Sequence, residues 1–123
     1  MKVIIAGGRD HSLTPCEITE LEMQAGSIPI TEVVSGCSRK DAANAAKRGV
    51  DAEGARWARR KSIPVEYFPA KWGGLGRAAG PLRNLQMAEY ADALIAIRGG
   101  VGTTNMVKTA TRLGLRPIIE INR

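Results

Sequence analysis

Residues 91–110, ADALIAIRGGVGTTNMVKTA, decide the fold. Ala93 to Ile97 reads as a buried β-strand, the glycines that follow as a tight turn, and Thr104 to Leu113 as a helix stopped by Gly114. Gly99 and Gly100, then Gly102 and Thr103, let backbone N–H groups point into one concavity with no Cβ in the way. The opening turn of the helix adds unpaired N–H groups and the positive end of its dipole, so a phosphate is a natural occupant. A plain strand-to-helix turn also uses glycine for tightness, and this stretch alone does not separate the two readings.

Working outward, the same device recurs. Lys2 to Ala6 (KVIIA) is an apolar run that ends in Gly7-Gly8-Arg9-Asp10, and Glu32 to Cys37 (EVVSGC) is a β-branched run that ends in Ser35-Gly36. Strands that end in glycine predict a parallel sheet whose C-terminal edge is kept clear, which is where open α/β sheets bind ligands.

The remaining segments alternate with these strands. Thr14-Pro15-Cys16-Glu17 matches a capping box with proline at the first helical position. It opens a helix to about Ala25, with Ile18, Leu21 and Ala25 facing inward and Gly26 as its stop. Ile30 to Val34 is the second strand. Residues 35–50 form a polar, basic loop without clear period, whose alanine-rich middle suits a helical turn. A helix over residues 51–61 buries Ala52, Ala55 and either Trp57 or Ala58, and Pro64 to Phe68 is the third strand. After the loop 70–80, Pro81 opens a helix to Tyr90 with Leu82, Leu85, Met87 and Ala88 as apolar contacts; Pro117 to Ile121 is the last strand. The fold class is therefore α/β: a single Rossmann-like domain over residues 1–123, with a five-stranded parallel sheet and helices on both faces. In the order 3-2-1-4-5, strands one and four meet at the switch point and their glycine turns face one crevice.

Composition narrows the function classes. The chain has 123 residues, 44% of them apolar and 24% charged, which suits one soluble core. A net charge of +6 favours anionic partners such as nucleotides, nucleic acid or an anionic surface. Cys16 and Cys37 are too few for a disulfide framework and read as reduced thiols. The N-terminal apolar run is too short for a signal peptide and no segment approaches a membrane span, so a cytoplasmic protein is expected. No Cys/His cluster, HExxH pattern or carboxylate-rich loop calls for a metal, and no further cofactor is expected. A P-loop NTPase is excluded because no lysine followed by serine or threonine closes the glycine turn.

Several segments together carry a family resemblance: GGRD after strand one, SG after strand two, RGVDAEGARWA (48–58), and GRAAGPLRNLQMAEYADALIAIRGGVGT (76–103). Over nearly its whole length the chain resembles the SLOG superfamily of Rossmann-like nucleotide-binding proteins, most closely its small YspA-like (YpsA-related) branch. That superfamily also holds the Lonely Guy phosphoribohydrolases, which release a base from a nucleoside monophosphate, and the DNA-processing protein A family. The resemblance implies a nucleotide ligand and a homo-oligomer, and Arg83 of GPLRN matches the family arginine. The hydrolytic glutamate has no counterpart, since Thr104-Asn105-Met106 follows Thr103, and the spacer CSRKDAANAAK (37–47) is longer than the usual form.

Each candidate residue has a functional reading and a plainer one. Gly99, Gly100, Gly102 and Thr103 are assigned to phosphate contact. Gly7, Gly8 and Arg9 line the same pocket, unless Arg9 is a solvated loop arginine. Ser35 and Gly36 form the pocket floor, or Ser35 caps the loop backbone. Arg83 is a bidentate phosphate clamp, or pairs with Glu89 or a loop. Arg77 closes over ligand from a flexible loop, and Trp72 stacks on a base or anchors its loop. Among the carboxylates near the strand ends, Asp10 is the first choice for a catalytic role beside Arg83, ahead of Asp51 and Glu53; Asp51 reads more simply as a helix cap. His11, the sole histidine, reads as an exposed loop residue.

Three functions follow in order. The first is a sensor or sequestering module for a nucleotide or nucleotide-derived ligand. The second is an N-glycosidic hydrolase or transferase resembling the Lonely Guy enzymes. The third is a DNA-binding accessory; it ranks last because only five aromatic residues are present to stack on bases.

Overall fold

A computed structural model describes residues 1–122. Five strands, β1 (Lys2–Gly7), β2 (Glu32–Ser35), β3 (Val65–Tyr67), β4 (Ala93–Ile97) and β5 (Ile118–Ile121), form one sheet in the order β3-β2-β1-β4-β5. Every pairing is parallel, and the central register sets Val3 against Ala93 and Gly7 against Ile97. This is the α/β architecture and strand order expected from the sequence. The helices are α1 (Pro15–Ser27), α2 (Arg39–Ala43), α3 (Val50–Arg60), α4 (Trp72–Leu75), α5 (Ala79–Tyr90) and α6 (Val101–Arg112), with a 3₁₀ turn over Gly76–Ala78.

The sheet is covered on both faces because successive strand side chains point to opposite sides. Val3 and Ile5 pack with Leu21 of α1 and Val50, Trp57 and Ala58 of α3. Ile4 and Ala6 pack with Met87 and Ala88 of α5 and Met106 and Ala110 of α6. Gly54 lets α3 settle close to β1, since a Cβ there would sit 2.7 Å from Ile5 Cγ2. No described helix is long and apolar enough to cross a membrane.

Local differences from the sequence reading have physical causes. Gly26 does not stop α1, which continues to Ser27; the Ile28 amide then reaches the Gln24 carbonyl at 2.9 Å and Pro29 follows. The alanine-rich middle of residues 35–50 does form a helix, α2, capped by Ser38 Oγ, which accepts from the Asp41 amide. Both Trp57 and Ala58 are buried. Helix α5 starts at Ala79, and Pro81 sits in its first turn, where a missing N–H loses no hydrogen bond. Leu82 is 43% exposed rather than an apolar contact. The buried face of α5 carries Gly80, Asn84, Met87 and Ala88, and a residue two positions from 80 and 84 faces the other way. Helix α6 begins at Val101, three residues before the position read from the sequence.

Candidate functional site

The two glycine turns meet at the C-terminal edge of the sheet. The Gly8 amide donates to the Arg98 carbonyl at 2.7 Å, and the Val50 amide donates to the Gly8 carbonyl at 3.1 Å. The ends of β1 and β4 and the start of α3 are thereby fixed to one another. Three glycines make this approach possible. A Cβ on Gly7 would overlap the Ile97 carbonyl oxygen, one on Gly8 would lie 2.7 Å from the Arg98 carbonyl oxygen, and one on Gly99 would overlap Thr103 Oγ1.

Above the turns lies a cleft of about 810 Å³. Of the residues singled out in the sequence, Gly7, Gly8, Arg9, Asp10, Gly36, Trp72, Arg83, Gly100, Gly102 and Thr103 line it. Ser35, Arg77 and Gly99 do not. Ser35 is fully buried and spends its hydroxyl on its own loop: Oγ donates to the Asp51 carbonyl at 3.1 Å and accepts from the Cys37 amide at 3.3 Å. Of its two readings, the backbone cap is the one observed. Arg77 lies exposed in the 3₁₀ turn, and Gly99 serves the contact between the two turns.

The N-terminus of α6 opens onto the cleft. Its N-cap is Gly100, which has no side chain with which to cap the first-turn amides. A Cβ on Gly100 or Gly102 meets no described atom within 4 Å beyond the adjoining backbone, in contrast to Gly7, Gly8 and Gly99.

Arg83 projects from α5 across the cleft. Its Nη1 donates to the Gly36 carbonyl at 2.7 Å and its Nε to Asn84 Oδ1 at 3.1 Å. It pairs with a loop rather than with Glu89. Asn84 is buried and in turn donates to the Gly102 carbonyl at 3.2 Å and Asn105 Oδ1 at 2.9 Å, tying the arginine to the start of α6. Burial lowers the Arg83 pKa from its ordinary value, while nearby Asp51 opposes that shift. Arg9 is exposed at the rim, its guanidinium carbon 5.4 Å from the Trp72 ring centroid; Trp72 is 48% exposed. Lys47 and Arg48 complete the cationic lining, and Arg56 holds their loop by donating to the Lys47 and Asn44 carbonyls at 2.6 and 3.0 Å.

The carboxylates separate by environment. Asp10 is exposed at the rim. Glu53 is spent on the Leu13 and Gly49 amides, at 3.0 and 3.1 Å. Asp51 lines the cleft, and its Oδ1 is buried without a hydrogen-bond partner among the described residues. Burial pushes the Asp51 carboxyl above the usual carboxylate range, with Arg83, the Gly7 backbone and Arg9 pulling the other way. It does not cap α3, whose N-cap is Gly49 without a side-chain bond. The Cys37 thiol also lines the cleft, and burial raises its pKa, so it is a poor nucleophile.

His11 is not an exposed loop residue: it is partly buried, 2.6 Å from Glu17 Oε1. Glu17 itself is fully buried and also accepts from the Thr14 amide and from Asn122 Nδ2, each at 2.9 Å. Among the described residues no group of three or more His, Cys, Asp or Glu side chains is arranged to hold a metal ion. Sequence reasoning passed over Asn84, Lys47, Arg48 and Gly49 as cleft residues. The available signals were the position of Asn84 directly after Arg83 and the basic character of residues 35–50. No family model, curated protein or solved structure matches the chain.

Proposed function

We propose that the protein binds a nucleotide or nucleotide-derived ligand in this cleft and acts as a sensor or sequestering module. The observation that carries the proposal is the contrast among the glycines. Gly7, Gly8 and Gly99 are required by protein packing, whereas Gly100 and Gly102 face no described atom beyond the adjoining backbone and border the cleft at a helix N-terminus without a side-chain cap. Glycine at those two positions leaves room for a group outside the protein to approach the amides. Arg9, Lys47, Arg48 and Arg83 outnumber Asp10, Asp41 and Asp51 around the same space, which favours a ligand bearing negative charge. The resemblance of the GPLRN and GGVGT segments to the SLOG superfamily points to the same ligand class.

Binding is favoured over turnover because buried Met106 stands in the lining, in the stretch where the Lonely Guy resemblance calls for a glutamate. A thermal-shift screen against nucleoside monophosphates, ADP-ribose, NAD and cyclic dinucleotides tests the proposal, with chromatography of every hit. A raised melting temperature with intact ligand is the expected result. Released base would replace the binding module by an N-glycosidic enzyme, and no shift with any nucleotide would overturn both.

A further inference from the structure

A buried carboxylate oxygen without a donor is an expensive thing for a fold to keep. Asp51 Oδ1 is in that position, although the Gly7 backbone engages the same carboxyl. Glu53 Oε2 accepts from the Gly49 amide and the Gly8 carbonyl accepts from the Val50 amide, so both amides have acceptors without Asp51. Beside it, Arg83 uses Nη1 and Nε on protein acceptors, and no hydrogen bond from the described residues engages Nη2. The two side chains converge on the space a Gly36 Cβ would fill, 2.5 Å from Arg83 Nη1 and 3.1 Å from Asp51 Oδ2. The cleft thus offers a cation and a vacant acceptor side by side.

A ligand that carries both an anion and a hydroxyl satisfies both. Ionised phosphate accepts hydrogen bonds and is repelled by a carboxylate, whereas a hydroxyl donates to one. The donor that reaches Asp51 must also lie close, within its own molecule, to the anion that reaches Arg83. In a nucleotide the ribose hydroxyls lie nearer the phosphate than the polar edge of the base does. We infer that Asp51 Oδ1 receives a ribose hydroxyl while Arg83 and the α6 amides hold the phosphate, so the cleft selects ribonucleotides over nucleotides lacking those hydroxyls. The inference rests on the nucleotide-binding reading above.

Calorimetric titration with the four ribonucleoside monophosphates and their four 2′,3′-dideoxy counterparts tests it. At least one ribonucleotide should bind the wild-type protein about tenfold or more tightly than its dideoxy partner, the scale of a hydrogen bond to a charged group. Asp51→Asn should narrow that ratio, because a neutral acceptor bonds more weakly, and Asp51→Ala should reduce it to about twofold or less. The unliganded variants should melt at or above the wild-type temperature, since a purely structural Asp51 would lower it in both. If Asp51→Ala does not fold, the wild-type ratio and Asp51→Asn still decide. Equal affinity for a ribonucleotide and its dideoxy partner in the wild type would overturn the inference and leave nucleotide binding standing. So would a ratio untouched by the Asp51 substitutions. No binding by any of the eight would overturn the inference, and the wider panel with ADP-ribose, NAD and cyclic dinucleotides decides the nucleotide reading separately.

Discussion

Arg83 Nη1 donates to the carbonyl of Gly36 at 2.7 Å, joining two residues 47 apart in the chain across the floor of the cleft. The bond exists because residue 36 has no Cβ; one there would stand 2.5 Å from Nη1 and 2.9 Å from Cζ of the same guanidinium. Backbone and cation occupy that space together, and the arginine is held in place before any ligand arrives.

Gly36→Ala should therefore displace the guanidinium. We expect a loss of stability of about 1–3 kcal/mol from overpacking, together with a weaker nucleotide-induced thermal shift. Arg83→Lys should weaken the same shift with less effect on stability, since lysine lacks the planar fork. Melting curves with and without nucleotide check both. A nucleotide shift in Gly36→Ala equal to that of the wild type would count against Arg83 as a ligand contact.

The glycines divide into two testable groups. Gly99→Ala pushes a Cβ into Thr103 Oγ1 and to 3.0 Å from the Gly8 amide nitrogen, so it should unfold or strongly destabilise the protein. Gly102 lies in the first turn of α6 with open space around it and outside the positive-φ region. Gly102→Ala should leave stability unchanged or raise it by up to about 1 kcal/mol, while reducing nucleotide affinity. Denaturant unfolding and calorimetry, run on both variants, separate the fold glycine from the ligand glycine.

Glu17 should give the protein a marked acid dependence. Burial alone would raise its pKa, but hydrogen bonds from Asn122, the Thr14 amide and His11 reverse that and hold the carboxyl at about 2, against an ordinary 4.5. A folded-state pKa below the unfolded value adds stability at every pH above about 4.5, and the increment is lost as pH falls from there to about 2. The gap between wild type and Glu17→Gln should be as much as about 3 kcal/mol near pH 7 and should shrink below pH 4. A gap that stays constant in urea unfolding across that range would show packing, not charge, at work.

The two tryptophans report on different places. Trp57 is buried in the core and Trp72 is 48% exposed beside Arg9 at the cleft rim. Acrylamide should quench the fluorescence of Trp72 and spare that of Trp57. Saturating nucleotide should protect Trp72, and Trp72→Phe should abolish the ligand-dependent change. Quenching unaffected by a nucleotide that binds would move the ligand away from the rim.

The architecture was legible because each strand is a short apolar run with a marked end. KVIIA and ALIAI read as strands buried on both faces, and their terminal glycines locate one sheet edge. The division among those glycines was not legible: Gly99 and Gly102 are the same letter, and only the atoms across the turn distinguish them. Asp51 was obscured for a related reason. An acid in the first turn of a helix carries the signature of a cap. Only the folded chain reveals that Glu53 and the Gly8 carbonyl have already taken the neighbouring amides. Leu82 shows the limit of composition: a leucine in a helix was read as a contact, and the spacing of Gly80, Asn84 and Met87 turned it outward.

The placement of β1 between β2 and β4 bears on how the protein comes off the ribosome. The cleft takes residues 7–10 from one strand end, 36–38 from the next, 83–84 from α5, and Gly100, Gly102, Thr103 and Met106 from the N-cap and first turns of α6. The register that gathers them pairs Val3 with Ala93. A nascent chain that has emerged only through β3 holds β1 and β2 but no opening for a ligand. On the proposed function, a ligand would stabilise only chains that extend through α6, by mass action, and would offer nothing to a product cut short before it.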